Sequence, residues 1–269
     1  MDMTNLTGSV VALITPFEED GSVDYEALER LVEFQIEGGT DGILVLGTTG
    51  ESSTMTDAED VAVADFVVRR VAGRVPVIGG AGSNSTAESL RKSLELQKHG
   101  VDGLLLITPY YNKSNEEGIY QHFAQVMDAV NLPCVLYQIP GRTGCSISER
   151  NLERLAAHPN AWGVKDATGD ISWTTMAARY VSDEFRLWSG NDDMVASYLA
   201  GDVEAARRIQ LDNLELIHAL FCEVNPIPVK TALARMGLIG EHFRMPLWPM
   251  ADASRERLYA AMRGAGLID

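Results

Sequence analysis

The sequence predicts an α/β protein of the (β/α) barrel, or TIM, type, carrying a helical C-terminal extension. Three observations lead there. Seven short apolar runs are near-continuous rather than alternating, the pattern of parallel strands buried on both faces. A helical pattern follows each of them, the last ending near Ala200. Polar or special residues (Thr48, Thr49, Tyr111, Tyr137, Arg142, Lys165, Ser189, Asn191) collect at the C-terminal ends of the runs. A barrel gathers such ends around one mouth, whereas a doubly wound sheet, the competing architecture, concentrates its site at one switch point. A chain of 269 residues suits a single barrel with an extension.

In order, Val10-Val11-Ala12-Leu13-Ile14 is the first strand, and Asp24 caps a helix through Leu28, Leu31, Val32 and Phe34. Gly42-Ile43-Leu44-Val45-Leu46 runs into Gly47-Thr48-Thr49-Gly50-Glu51-Ser52, with a helix from about Asp57. Val75 to Gly80 is third, and Ser85-Thr86-Ala87-Glu88 reads as a capping box for its helix. Gly103 to Ile107 ends at Thr108-Pro109-Tyr110-Tyr111-Asn112, followed by a helix around Tyr120 to Val130. Cys134 to Tyr137 ends at Ile139-Pro140-Gly141-Arg142-Thr143-Gly144, and Ser146 with Glu149 reads as a second capping box. Ala161-Trp162-Gly163-Val164 leads into Lys165, with a helix near Trp173 to Val181. Phe185 to Gly190 is the seventh run. After Ala200 the alternation stops. Gly201 to Phe221, about Val229 to Met236, and Ser254 to Met262 read as helices, so barrel and extension divide as 1–200 and 201–269.

Composition removes several function classes. Lysine and arginine number 22 against 38 aspartates and glutamates, and a net charge of −16 repels phosphate backbones and anionic membranes. Neither a Gly-x-Gly-x-x-Gly after the first strand nor a Gly-Lys-Ser/Thr loop supports nucleotide binding. Cys134, Cys145 and Cys222 have no disulfide or zinc spacing, and His99, His122, His158, His218 and His242 are scattered, so no metal is expected. No basic leader or membrane-length apolar run is seen, so a cytoplasmic location is expected.

Lys165 is the focal residue. A lysine at the end of a buried strand either snorkels to a surface carboxylate such as Asp166, or loses its proton through desolvation and attacks a carbonyl. The other candidates have plain readings too. Gly47 to Ser52 is either an ordinary turn or a cradle of backbone N–H groups for a carboxylate. Tyr110, Tyr111 and Tyr137 are either packing aromatics or proton relays, and Arg142 is either a surface charge or a carboxylate fork.

Taken together, Gly47-Thr48-Thr49-Gly50-Glu51-Ser52, Thr108-Pro109-Tyr110-Tyr111-Asn112, Tyr137-x-x-Pro140-Gly141-Arg142-Thr143-Gly144, Gly163-Val164-Lys165-Asp166-Ala167-Thr168-Gly169 and Asn225-Pro226-Ile227-Pro228-Val229-Lys230 resemble the lysine-dependent pyruvate aldolase and lyase superfamily. Within it they are most similar to the dihydrodipicolinate synthase family. The resemblance implies that Lys165 forms a Schiff base with pyruvate and needs no separate cofactor. It implies that Thr48 and Thr49 hold the pyruvate carboxylate, and that Gly190 belongs to the substrate site. Tyr137 would shuttle protons, linked through Thr48 to a Tyr111 donated across a dimer interface, in a homodimer or homotetramer. Arg142 would orient L-aspartate 4-semialdehyde. The product, 4-hydroxy-tetrahydrodipicolinate, would feed diaminopimelate and lysine synthesis. A lysine-feedback pocket would fall on Ser52, Asn84, Glu88 and Tyr110.

Three departures stand out. Gln138 replaces the usual asparagine after the fifth-strand tyrosine. Asp57 and Asp60 stand where lysine-sensitive members often have histidines. The family has eight strands where this chain shows seven, so about one βα unit of roughly thirty residues is missing between Ala200 and Gly201. Two other readings stay open: an aldolase for another 2-oxo acid, and a degenerate barrel that binds without turnover.

Overall fold

The computed structural model describes Met3, residues 6–190 and residues 203–269. Seven parallel strands form one sheet in sequence order: β1 (Val10–Ala12), β2 (Gly42–Val45), β3 (Val77–Gly80), β4 (Gly103–Ile107), β5 (Cys134–Gln138), β6 (Ala161–Asp166) and β7 (Arg186–Ser189). The intervening helices are α1 (Tyr25–Glu37), α2 (Asp57–Val71), α3 (Thr86–Lys98), α4 (Glu116–Ala129), the short α5 (Pro140–Thr143), α6 (Glu149–Ala156) and α7 (Ile171–Ala177). Then come α8 (Val203–Leu220), α9 (Ile227–Arg235) and α10 (Asp252–Gly264). Residues 191–202, which hold Asn191 and the Ala200–Gly201 junction, lie outside the described residues.

The sheet curls, and its side chains say so. Val10, Ala12, Leu44, Ile78, Leu105, Val135, Tyr137, Trp162 and Trp188, drawn from all seven strands, belong to one contiguous apolar cluster with Met3 and Leu6. A flat sheet cannot bring its first and last strands onto one cluster; a curved one closes around it. The opposite face carries the larger core, where Leu28, Leu31, Val63, Val67, Leu96, Phe123, Met127, Leu152 and Leu155 of the helices meet outward strand residues such as Ile43, Leu104, Leu136 and Val164. Both faces are therefore covered, which is why the strands read as unbroken apolar runs.

One irregularity sets the phase of β6. Cys134 pairs with Ala161 but Val135 pairs with Gly163, so Trp162 is an extra residue in the ladder. Such a bulge turns two successive side chains to the same face. Trp162 joins the inner cluster, its ring 4.8 Å from that of Trp188, while Ala161 and Val164 lie in the outer core. Lys165 therefore faces inward, where strict alternation from Trp162 would have pointed it at the helices. Gly163 fits because it lacks a side chain: a Cβ there would lie 2.4 Å from Arg186 O.

The helix caps differ from expectation in two places. Helix α6 begins at Glu149 with Ser148, not Ser146, as its cap; Ser148 Oγ accepts from Asn151 N at 3.2 Å. The cause is Ile147, whose buried backbone N–H donates to Gln138 Oε1 at 2.9 Å and fixes the chain before the helix. At α3, Ser85 accepts from Glu88 N at 3.4 Å, but the Glu88 carboxylate turns to Arg91, so only half a capping box forms. The complete box is at α2, between Thr56 and Glu59.

Helices α8 to α10 share a cluster of their own built on Ala219, Ile227, Ala232, Leu258 and Met262. Val229, Leu233, Leu238 and Ile239 pack instead against the main core. The C-terminal helices therefore grip the curled sheet and its helices through α9 and the segment after it. Among the described residues no helix is long and apolar enough to cross a membrane.

Candidate active site

Register and curl bring the candidates together at the C-terminal ends of the strands. Lys165 pairs with Tyr137 on one side and Trp188 on the other, and Tyr137 pairs with Ile107. Lys165 Nζ lies 4.7 Å from the centroid of the Tyr137 ring. Burial pushes the Tyr137 phenol above its ordinary value of 10, partly offset by the nearby Arg142 guanidinium, so the hydroxyl keeps its proton at neutral pH and can donate it. Arg142 sits in α5, whose Pro140 at the first turn supplies a preset φ, and its side chain is exposed.

Asp166, the alternative partner for Lys165, is on the other face of the strand. Its carboxylate is buried and accepts from Thr174 Oγ1 at 2.6 Å, Thr168 N at 3.0 Å and Gln138 Nε2 at 3.3 Å. It anchors α7 and the β6 loop. Gln138 therefore links β5 to both β6 and the chain at Ile147.

Gly190 follows β7 and touches Lys165. Its N–H donates to Asp166 O at 2.6 Å, and a Cβ added there would meet Lys165 Cε at 3.0 Å. The absent side chain leaves room for the lysine stem.

The loop after β2 is strained and tightly tied. Leu46 and Glu51, neither of them glycine, take left-handed φ of 60° and 55°, and Gly47-Thr48-Thr49-Gly50 lies between them. Left-handed backbone costs on the order of 1–2 kcal/mol per such residue and persists where the surroundings impose it. Thr48 is exposed and Thr49 half-buried. Thr15 Oγ1 donates to Gly50 O at 2.7 Å, and Asn225 Nδ2 donates to Thr49 Oγ1 at 2.8 Å.

Beneath it lies an ion pair that sequence reasoning missed. Lys230 Nζ reaches Glu51 Oε1 at 2.6 Å and Thr15 O at 3.2 Å, with both side chains at most 1% exposed. The Phe17 ring centroid is 4.5 Å from the ammonium. Desolvation pulls the Lys230 pKa down and Glu51 pulls it back up. The signal available in the sequence was that both residues fall in motifs, Gly-Thr-Thr-Gly-Glu-Ser and Asn-Pro-Ile-Pro-Val-Lys, although 179 positions separate them.

Tyr111 stands apart: it is 91% exposed with a φ of 68°. The residues expected to form a feedback pocket are distributed among other partners. Ser52 Oγ donates to Asp60 Oδ2 at 3.0 Å and accepts from Lys92 Nζ at 2.6 Å, while Lys92 pairs with Asp60 at 2.7 Å. Arg91 bridges Glu88 and Asp57, Asn84 O accepts from Asn112 Nδ2 at 2.9 Å, and Tyr110 is partly exposed.

A curled parallel sheet with a lysine, a phenol and a strained loop at the C-terminal ends of its strands has the form of the lysine-bearing (β/α)-barrel-like proteins. The comparisons narrow it. The profile described as "Dihydrodipicolinate synthetase family" matches residues 5–200 and again 193–265. A curated 4-hydroxy-tetrahydrodipicolinate synthase of Pelobacter propionicus is 44% identical, over 97% of this chain and 99% of its own. That alignment runs over 288 positions against a chain of 269 residues, so at least 19 positions of it hold no residue here. Among solved structures, the pyruvate complex of a chloride-inhibited dihydrodipicolinate synthase from Acinetobacter baumannii matches with a TM-score of 0.95 and 39% identity, over 98% of this chain and 100% of that one. A structure described as the first monomeric dihydrodipicolinate synthase variant gives 0.94 and 35%, with 99% of both chains covered. The chain belongs to the dihydrodipicolinate synthetase family.

Proposed function

We propose that this chain condenses pyruvate with L-aspartate 4-semialdehyde through a Schiff base on Lys165, releasing 4-hydroxy-tetrahydrodipicolinate for diaminopimelate and lysine biosynthesis. The observation that carries the proposal is the pairing of Lys165 with Tyr137 at the C-terminal ends of the strands, the lysine nitrogen 4.7 Å from the centroid of the phenol ring. The names of the similar proteins, one of them solved with pyruvate, support the same chemistry.

In this reading Lys165 Nζ adds to the pyruvate C2 carbonyl. The carbinolamine loses water to give an imine, and loss of a methyl proton gives the enamine. Tyr137, held protonated by burial, donates and recovers the protons. The N–H groups of Thr48 and Thr49 hold the pyruvate carboxylate, Gly190 leaves space for the lysine, and Arg142 orients the carboxylate of the semialdehyde. The enamine carbon attacks the aldehyde, and the substrate's own amine then displaces Lys165 as the ring closes. No metal or separate cofactor takes part. The enzyme is a carbon–oxygen lyase working as a homodimer or homotetramer in the cytoplasm, with Tyr111 completing a neighbour's site. Arg91 already pairs with Glu88 and Asp57, and Lys92 with Asp60 and Ser52, so those side chains are engaged within the chain, which argues against feedback through an added ammonium group at Ser52, Asn84, Glu88 and Tyr110.

The described residues hold seven strands, and in this reading the eighth βα unit of the family is deleted. Two observations support this: the family match falls in two pieces that overlap at residues 193–200, and the alignment with the Pelobacter relative holds at least 19 positions with no residue in this chain. The same gap favours one competing reading, a degenerate barrel that binds pyruvate without turnover. The deciding experiment combines borohydride trapping with a coupled synthase assay. Pyruvate and borohydride should add mass at Lys165 in the wild type and none in Lys165→Ala, with turnover of semialdehyde. An adduct without turnover supports the degenerate barrel; turnover of sugar aldehydes instead supports another 2-oxo acid aldolase; no adduct overturns the Schiff-base reading.

A further inference from the structure

We infer that the segment Asn225 to Lys230, at the start of α9, positions the carboxylate-binding loop after β2, so that the C-terminal helices are part of the pyruvate site. The inference rests on the reading that the Thr48 and Thr49 N–H groups hold the pyruvate carboxylate.

Two ties, one neutral and one ionic, run from this segment to the loop. Asn225 Nδ2 donates to Thr49 Oγ1 at 2.8 Å, fixing the residue whose backbone would contact substrate. Lys230 Nζ donates to Glu51 Oε1 at 2.6 Å and to Thr15 O at 3.2 Å, and Thr15 Oγ1 in turn donates to Gly50 O at 2.7 Å. The four residues from Gly47 to Gly50 are thus clamped between a left-handed Leu46 and a left-handed Glu51 whose carboxylate is held from outside. An unclamped loop would relax the left-handed residues and lose the converging N–H groups.

The chemistry of the pair argues for a role beyond holding the fold together. A fully buried lysine and glutamate are costly to desolvate, and an apolar pair of like volume commonly serves stability as well or better. Here Glu51 Oε2 also has no hydrogen-bond partner. What the pair adds is direction: one carboxylate oxygen on one ammonium, with Phe17 beneath it at 4.5 Å, admits a single placement of the Glu51 backbone.

The test uses the full chain and four variants: Asn225→Ala, Thr49→Val, the two combined, and the double variant Glu51→Gln with Lys230→Met, which removes the pair without leaving a buried charge alone. Circular dichroism and melting establish that each is folded. Half-saturation by pyruvate is read from borohydride trapping at Lys165, and the Michaelis constant for the semialdehyde is measured at saturating pyruvate. The pyruvate value should rise about tenfold in Asn225→Ala, the loss of one oriented hydrogen bond, and about tenfold or more in the double variant. The semialdehyde constant should change by less than about twofold. Because Asn225 acts through the Thr49 hydroxyl, adding Asn225→Ala to Thr49→Val should change the pyruvate value little further. A folded variant with unmoved pyruvate saturation, an equal loss for both substrates, or full additivity of Asn225→Ala with Thr49→Val overturns the inference. No adduct in the wild type overturns the Schiff-base reading and the inference with it, whereas a normal wild-type adduct with unmoved variants overturns the inference alone.

Discussion

Lys165 owes its position to neighbours that carry no chemistry themselves. The extra residue Trp162 turns it inward, the Trp162–Trp188 ring pair floors the space below it, and Gly190 gives way beside it. The last of these is a sharp test. In Gly190→Ala the new methyl would sit 3.0 Å from Lys165 Cε, 3.0 Å from Ala167 Cβ and 3.2 Å from Asp166 O. Ala167 and Asp166 are buried, so the strain falls on the flexible lysine stem. A displaced amine loses its approach to the carbonyl carbon, and kcat should fall about tenfold, the equivalent of ~1.4 kcal/mol, with little change in melting temperature. Steady-state rates at saturating substrates check this; an unchanged kcat would show that the methyl is absorbed elsewhere.

At the scale of elements, the C-terminal chain is tied to the barrel by Arg244. Its guanidinium donates to Gly21 O and Thr54 O and pairs with Glu59, which also closes the capping box of α2 on Thr56. The Arg244 hydrogen bond, followed by that from Thr56, draws the Glu59 carboxyl from 4.5 down to about 2. A carboxyl whose folded pKa lies below its unfolded one stabilises the fold above the unfolded value and loses that contribution as pH falls toward the folded value. Glu59→Gln should therefore cost about 1–2 kcal/mol at neutral pH, and its gap in melting temperature from the wild type should narrow as pH drops from 4.5 toward 2. A gap independent of pH would remove the ionised carboxylate from the account. Elements of this kind separate what the sequence discloses from what it hides. Strands buried on both faces and strand ends rich in Thr, Tyr, Arg and Lys are legible, because burial and chemistry are local to each run. The Ser148 cap is not, because it depends on Gln138 holding the chain at Ile147. The bulge at Trp162 is not, because a one-residue slip in a run that is apolar throughout leaves no periodicity to break. The Lys230–Glu51 pair is not, because no local pattern joins residues 179 apart.

At the scale of the whole molecule, the seven described strands leave β1 and β7 as the outer members of the sheet, and Tyr111 projects from the mouth 91% exposed. A large aromatic on a left-handed residue is poorly placed to serve its own chain, and well placed to enter a second copy. If Tyr111 completes a neighbour's site, sedimentation should give a particle of at least two 29.3 kDa chains, and Tyr111→Ala should lower kcat about 10²-fold through loss of proton relay. The decisive measurement mixes two inactive variants. In a dimer pairing Lys165→Ala with Tyr111→Ala, the chain that keeps Lys165 receives Tyr111 from its partner, so one of the two sites is whole. Random pairing makes half the particles mixed, and activity should return to about a quarter of the wild-type level on exchange of subunits. An active monomer, or mixed dimers that recover nothing, would mean that Tyr111 acts within its own chain or not at all. Recovery would show that a barrel with seven described strands still builds its site from two copies.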